Sequence, residues 1–241
     1  MVVVNALANF IPFNEVTTAE VSDKFQNYFI PAGYVFSIWG VIYVFTGIYV
    51  VYQMLPANRD AAFQKAIGPW FFIGSIANGT WIFLWHWGLI PSSLVAMLVL
   101  LISLLATYLR LNIGKVNAEV SWKVRVATQV PFSLYLGWIT VATVANVAAV
   151  LVNDAKVPAF DAAAITWTVL ILSVVALITV LMLWFRKDVI FALVVVWAVA
   201  GILYKQLTVT IIYETAIAVT AGIVFGIVAV FIVWTLLKSH K

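Results

Sequence analysis

The chain has 241 residues, of which 65% are hydrophobic and 9% are charged, whereas soluble domains average roughly 45–50% and 25%. This composition excludes an ordinary soluble fold and indicates a membrane protein. The formal net charge of +4 fits basic loops and calls for no nucleic-acid partner, and the absence of cysteine excludes disulfides, thiolate catalysis and iron–sulfur ligation.

The first apolar run, residues 2–13, would reach only about 18 Å as a helix, which is too short to span a bilayer. It lacks the basic segment and the cleavage site of a signal peptide. We therefore expect a short, tilted or half-inserted first helix.

Seven longer apolar runs follow, each near the roughly 20 residues that a helix needs to cross the hydrocarbon core. Helices are favoured over barrel strands because the runs lack a ten-residue alternation. The predicted fold class is all-α, a polytopic transmembrane helix bundle. The predicted spans are residues 33–54, 67–88, 92–111, 126–152, 162–185, 189–206 and 213–237.

Basic residues set the predicted orientation. With the loop 14–31 outside and the C-terminus in the cytoplasm, ten of the thirteen Lys and Arg residues face the inside, as the positive-inside rule requires. The basic segment 110–125 then lies beside the lipid bilayer, where each base near an anionic surface contributes about 1 kcal/mol. The ten residues are Arg59, Lys65, Arg110, Lys115, Lys123, Arg125, Arg186, Lys187, Lys238 and Lys241.

The titratable residues and their positions exclude or disfavour several classes of membrane protein. A retinal photoreceptor needs a Lys in its last helix for a Schiff base, and residues 213–237 contain none. No catalytic triad, carboxylate pair or metal-spaced cluster lies inside the spans, so no catalytic residue and no metal site are predicted. An ion-driven pump is disfavoured because four charged residues lie within about a turn of a span end, where snorkelling lowers the cost of charge: Asp161, Asp188, Lys205 and Glu214.

His86 lies in the last turn of the second long span. Its imidazole is a chemically competent haem-iron ligand, but the position favours interfacial hydrogen bonding.

Tryptophan is the most informative residue type, with eleven copies. Six lie at or near span ends and fit an interfacial aromatic belt: Trp70, Trp85, Trp87, Trp122, Trp184 and Trp234.

Most of the deeper aromatic and amide residues recur at helical spacings of three and four, which places them on shared helix faces; Tyr34 comes from the same helix as Trp39 but lies five residues before it. Three helices are thereby predicted to direct rings and amides into the outer half of the membrane. These positions are, span by span, Tyr34, Trp39 and Tyr43; Asn78 and Trp81; and Tyr135, Trp138, Ala142 and Asn146.

These residues resemble the tryptophan-rich sensory proteins, the TspO/MBR or translocator protein family. The stretch "PAGYVFSIWGVIY" is similar to the family's second-helix signature, "NGTW" to its Asn-x-x-Trp, and "YLGWITVATVAN" to its fifth-helix pattern. The resemblance covers roughly residues 1–153 and implies a five-helix core with a short first helix. The Trp-Pro-rich loop of compact members is altered here. The predicted domains are a TspO-like helical core, 1–153, and an appended three-helix transmembrane region, 154–241.

The resemblance implies a sensor or carrier for a small, flat hydrophobic ligand, a porphyrin, a haem-like tetrapyrrole or a sterol, with no obligatory cofactor. The ligand would lie in an aromatic pocket under residues 14–29, which would form a lid. The implied ligand-binding residues are Tyr34, Trp39, Tyr43, Asn78, Trp81, Tyr135, Trp138, Ala142 and Asn146.

Alternatives stay open at this point. The rings and amides are equally expected in plain helix packing and interhelical hydrogen bonding. An uncharged-solute transporter and a tetrapyrrole-degrading enzyme are the other functions that fit. Gly222 and Gly226, four residues apart, form a small-residue face that suits either a homodimer or internal packing.

Overall fold

The computed structural model describes residues 1–11, 13–115, 120–209 and 213–239. These residues form helices joined by short turns and contain no strand, which confirms the predicted all-α class. The α-helices are α1 (Val2–Phe10), α2 (Thr18–Lys24), α3 (Ile38–Met54), α4 (Ala62–Ile67), α5 (Trp70–His86), α6 (Ile90–Arg110), α7 (Trp122–Val124), α8 (Val130–Asn153), α9 (Ala162–Leu181), α10 (Val189–Thr208) and α11 (Thr215–Ser239).

Six helical segments of the described chain are long and apolar enough to cross a membrane, and they match six of the seven predicted spans. They are Gly33–Met54, Ile90–Arg110, Trp122–Asn153, Ala162–Arg186, Val189–Thr208 and Thr215–Lys238. The remaining predicted span, 67–88, corresponds to α5. This helix has 17 residues, about 26 Å at 1.5 Å per residue, which is at the lower limit for a spanning helix. The bundle is therefore polytopic, as predicted.

The predicted span 67–88 is shorter in the structure because the chain breaks before it. Gly68 adopts a positive φ of 51° and ends α4, a conformation that glycine adopts easily. Pro69 then occupies the N-cap of α5. A tight turn thus takes the place of the first turn of the expected helix.

Helix α1 has nine residues, about 13 Å, and is too short to span, as expected. It is nevertheless part of the bundle. The Asn5 amide nitrogen donates a hydrogen bond to the Asn78 amide oxygen on α5, and the Tyr135 hydroxyl donates to Met1 Sδ at 3.4 Å. Helix α1 therefore closes the space between α5 and α8.

Helix α2 lies across one end of the bundle, which is here called the α2 end. A capping box starts it, in which Thr17 N–H donates to Glu20 Oε2 at 2.7 Å and Glu20 N–H donates to Thr17 Oγ1 at 3.3 Å. The bonds from the Thr17 backbone and hydroxyl lower the pKa of Glu20. The helix is joined to α5 by the Trp85 indole, which donates to the Thr18 carbonyl at 3.3 Å.

The last three helices pack onto the first part of the chain through α10, which contacts α8 and the 3₁₀ turn Gly33–Ser37. Two glycines allow this close approach. A Cβ on Gly137 of α8 would lie 3.1 Å from Val194 Cβ, and a Cβ on Gly201 of α10 would lie 2.1 Å from Val35 Cγ2. Helices α9 and α11 pack against each other and against α10.

Two of the four charges near span ends are buried and bonded instead of reaching into water. Lys205 on α10 pairs with Asp23 of α2 at 3.2 Å, and its side chain is 9% exposed. Asp188, before α10, is buried and accepts bonds from the hydroxyls of Tyr108 and Ser133. The expectation of snorkelling is therefore wrong for Lys205 and Asp188, because each of them bonds to partners distant in sequence.

Candidate functional site

Trp39 is the centre of a buried aromatic cluster contributed by three helices. Its ring centroid lies 5.6 Å from that of Tyr43 on α3, 5.9 Å from Trp81 on α5, and 5.9 Å from Tyr135 and 6.0 Å from Trp138 on α8. We call these five residues the Trp39 cluster. Such pairs contribute about 0.5–1.5 kcal/mol each beyond area burial, so the cluster is a stiff aromatic body.

The cluster borders a cavity under α2. Six of the eleven lining residues were not among the predicted ligand-binding residues, and the full set is Ser22, Pro31, Phe36, Trp39, Trp81, Trp85, Trp138, Val141, Ala142, Ala145 and Asn146. The cavity holds about 430 Å³ of space between atoms, but the centres of water molecules fit in only about 30 Å³ of it. One water needs roughly 10–15 Å³ by that measure. The arrangement therefore admits about two or three waters, and a larger ligand requires the walls to move apart.

Several buried polar atoms around this cavity have no hydrogen-bond partner among the described residues. They are the indole nitrogens of Trp81 and Trp138, the Tyr43 hydroxyl and the Asn78 amide nitrogen. Buried donors are nearly always satisfied in proteins, because an unpaired one costs about 1–3 kcal/mol. An unusual number of donors is thus concentrated in one small region.

Asn146 differs from these donors because it is engaged. Its amide nitrogen donates to Ser93 Oγ at 3.1 Å, and Ser93 Oγ also contacts the Ile90 carbonyl at 2.7 Å. This bond joins α8 to α6 at the edge of the cavity. For Asn146 the structure thus supplies the interhelical hydrogen bond of the packing alternative.

A family model described as TSPO-like protein matches residues 1–234, which is nearly the whole chain. The chain belongs to the TSPO-like family. With its apolar helices, it is an integral multi-pass membrane protein. No curated protein and no solved structure matches it.

The TSPO-like match confirms the resemblance drawn from the aromatic motifs. It runs beyond residue 153, through α9 and α10 and most of α11, so the likeness to the family is not confined to the predicted five-helix core, residues 1–153. The division into domains 1–153 and 154–241 stays a prediction.

Two predicted ligand residues of this TSPO-like protein, Asn78 and Tyr34, belong neither to the cavity lining nor to the cluster. Asn78 accepts a hydrogen bond from Asn5 of α1, whereas Tyr34 contacts α10. Tyr34 is 44% exposed, and its ring contacts Trp197 and Tyr204 of α10 edge-on, with centroids 5.3 and 5.6 Å away. The reason is local geometry. Residues 33–37 form a 3₁₀ turn with three residues per turn, so Phe36 shares the face of Trp39 and Tyr34 does not.

Phe36 and Trp85 are cavity residues that sequence reasoning missed. Phe36 lies three residues before Trp39, and its ring meets Trp138 at 5.8 Å. Trp85 lies four residues after Trp81 and stacks on it at 5.9 Å. Helical spacing alone could have found both. The interpretation of Trp85 as an interfacial belt residue is wrong, because α2 covers it and leaves it 4% exposed.

The segment predicted as a lid, residues 14–29, supplies Ser22 to the cavity, and Pro31 follows it. It is fixed to the bundle by few polar contacts. The Asn14 amide donates to the His86 carbonyl at 3.2 Å, Trp85 donates to Thr18, and Lys205 pairs with Asp23. The segment also packs on the bundle through the buried side chains of Val21, Tyr28 and Phe29.

His86 is buried beside this segment and not at a water-exposed interface. Its Nδ1 lies 2.7 Å from the Ile82 carbonyl, one turn earlier in α5, and Phe13 meets its ring edge-on. Among the described residues no three His, Asp or Glu side chains come together as a metal site.

Proposed function

We propose that this TSPO-like protein binds a flat hydrophobic ligand, a porphyrin, a haem-like tetrapyrrole or a sterol, between the Trp39 cluster and α2, as a sensor or carrier. The observation that carries the proposal is the pairing of stacked rings with buried, unpartnered indole donors. Trp81 and Trp138 both line the cavity and both have an indole N–H without a partner among the described residues. Apolar walls with a few convergent polar groups are the usual character of small-molecule sites.

The cavity as it stands is too small for such a ligand. Ligand pockets usually measure roughly 300–1,000 Å³, far more than the 30 Å³ open to water centres here. Binding therefore includes an opening step, in which residues 14–29 lift from α5 and α10. Closure of such a segment over a bound ligand excludes water and retains the ligand. The proposal thus predicts slow, lid-limited binding and not rapid adsorption to a surface.

The test is titration of the detergent-solubilised protein with protoporphyrin, following both the porphyrin absorbance and tryptophan fluorescence. Trp138→Phe keeps a ring but removes the indole donor, and we expect it to weaken binding by about tenfold, equivalent to about 1.4 kcal/mol. Trp122→Phe is the matched control, because Trp122 is exposed on α7 and lies outside the cavity.

Saturable binding that weakens in Trp138→Phe but not in Trp122→Phe supports the proposal. Equal weakening in both, or no saturable binding, contradicts it. Thermal unfolding of both variants separates a lost ligand contact from a lost packing contact, since only the second lowers the unfolding temperature without porphyrin present.

A further inference from the structure

A second, larger cavity lies at the end of the bundle opposite α2. It is bordered by the turn after α6, the π-helical turn Arg125–Gln129, the turn between α9 and α10, and the end of α11. It comprises about 1,280 Å³ of space between atoms, part of which is open to solvent, and water centres fit in about 540 Å³. Five basic side chains line it together with one carboxylate, that of Asp188; they are Lys115, Arg125, Arg186, Lys187 and Lys238.

The carboxylate of Asp188 is already fully engaged. It accepts hydrogen bonds from the Tyr108 hydroxyl at 2.9 Å, from Ser133 Oγ at 2.6 Å and from the Phe191 N–H at 3.0 Å. It therefore fixes α10 against α6 and α8. Throughout the described chain, the only ion pair within 4.0 Å is that of Lys205 and Asp23 at the α2 end, so none of the five basic residues has an acidic partner there.

Aromatic rings and backbone turns hold some of these basic groups in place. The Arg186 guanidinium lies 5.7 Å above the Tyr108 ring and donates to the Ile113 carbonyl at 3.3 Å. The Lys238 ammonium lies 4.2 Å above the Trp234 ring. Cation–π contacts of this kind orient a base without neutralising it.

The backbone around the cavity is also specialised. Gly114 has a φ of 76°, and a Cβ there would lie 1.9 Å from the Arg186 carbonyl oxygen, so only glycine fits. Lys187 has a φ of 52°, a left-handed conformation that non-glycine residues adopt rarely and often at functional sites. The chain thus places a lysine where glycine would be less strained.

We propose that this cavity binds the phosphate headgroup of an anionic phospholipid. Arg and Lys donors match phosphate oxygens in charge and geometry, and basic pockets between transmembrane helices bind such headgroups. Apolar side chains flank the basic rim, since Trp122, Val126, Phe185 and Leu237 are all exposed. Acyl chains can pack against these apolar side chains, whereas a free phosphate ion would gain no favourable contact from them. This inference is independent of the aromatic cavity.

The experiment compares ligands of known chemistry on the detergent-purified, full-length protein by native mass spectrometry and thermal unfolding. The ligands are short-chain phosphatidylglycerol, phosphatidylcholine and pyrophosphate. We expect phosphatidylglycerol to bind at least about tenfold more tightly than phosphatidylcholine. The double variant Arg125→Gln/Lys187→Gly should lose about tenfold of that affinity, because it removes two charges from the cavity while glycine relieves the left-handed backbone at 187.

Lys123→Gln is the matched control, because Lys123 is exposed two residues before Arg125 and does not line the cavity. Unchanged phosphatidylglycerol binding in Lys123→Gln, together with the loss in the double variant, supports the proposal. Equal loss in both would indicate general surface charge and overturn it. No preference for phosphatidylglycerol over phosphatidylcholine would also overturn it. Binding of pyrophosphate in place of the lipid, with the same sensitivity to the double variant, would reassign the site to free phosphate and overturn the lipid assignment.

Discussion

Gly201 of α10 and Val35 of the turn before α3 are in such close contact that a Cβ on Gly201 would lie 2.1 Å from Val35 Cγ2. Two hydrogen bonds flank this contact. Ala32 N–H donates to the Gly201 carbonyl at 3.2 Å, and the Trp197 indole donates to the Val35 carbonyl at 3.0 Å. The segment that opens the first long span is therefore held by a helix that begins more than 150 residues later.

The first prediction follows from this contact. Gly201→Ala should destabilise the protein by about 1–3 kcal/mol, the usual cost of overpacking, because Val35 is fully buried and its branched side chain cannot turn aside. Unfolding in detergent measures the change. Gly222→Ala on α11 is the control, since no atom lies within 4 Å of its added Cβ, and helix propensity predicts a gain of about 0.5–1 kcal/mol. An unaffected Gly201→Ala protein would mean that α10 does not pack tightly there.

Much of this fold could be predicted from sequence because bilayer thickness imposes a length on every apolar run. The inward positions of Trp39, Trp81, Tyr135 and Trp138 could also be predicted, from helical spacing together with their depth below the span ends. Helical spacing does not bring Tyr34 to the face of Trp39, because the two residues are five apart, about 140° around an α-helix, and the 3₁₀ turn that contains Tyr34 leaves it on another face as well. The burial of Trp85 could not be predicted either, since no local pattern reveals that α2 folds back over a span end.

Long-range polar pairs could not be predicted at all. The hydrogen bond between Tyr108 and Asp188 joins residues 80 apart in sequence, and the Lys205–Asp23 pair joins residues 182 apart. Each residue alone lies near a span end, where exposure to water is the ordinary expectation. Only the packing of α10 against α6, α8 and α2 buries Asp188 and Lys205.

The second prediction concerns the Asp188 site. Ser133→Ala removes a donor that lies 2.6 and 2.7 Å from the two carboxylate oxygens. Hydrogen bonds to charged groups contribute about 1.5–3 kcal/mol, so we expect a loss of that size in the free energy of unfolding. Ser173→Ala is the matched control, because Ser173 is exposed on α9 and bonds only the Val169 carbonyl of its own helix. Equal effects of the two substitutions would show that Asp188 does not depend on Ser133.

The third prediction concerns the contact that holds residues 14–29 closed. Asp23→Asn removes the carboxylate beside Lys205 and should loosen the attachment of α2 to α10. The expected loss of stability is small, about 0.2–1 kcal/mol, because Asp23 is 47% exposed. We expect faster amide hydrogen exchange in α2 and faster porphyrin association. Amide hydrogen exchange in the spanning helices beneath α2 should change little. Asp60→Asn, an exposed position in the α3–α4 connection, serves as the control. If association is no faster in Asp23→Asn, lid opening does not limit binding.

The fourth prediction concerns pH and the capping box of α2. The pKa of Glu20 lies below its ordinary value of 4.5 because the Thr17 backbone and hydroxyl donate to the carboxylate. A lowered folded-state pKa means that the stabilisation is complete above the unfolded value and is lost as pH falls through the folded value. Below about pH 4, amide hydrogen exchange in α2 of the wild-type protein should therefore accelerate relative to the exchange in Glu20→Gln. Measuring both proteins at the same pH cancels the intrinsic pH dependence of exchange. Glu15→Gln should retain the wild-type profile, since its side chain takes no part in the box. A wild-type profile in Glu20→Gln would show that the charge on Glu20 does not stabilise α2, and that Thr17 alone caps the helix.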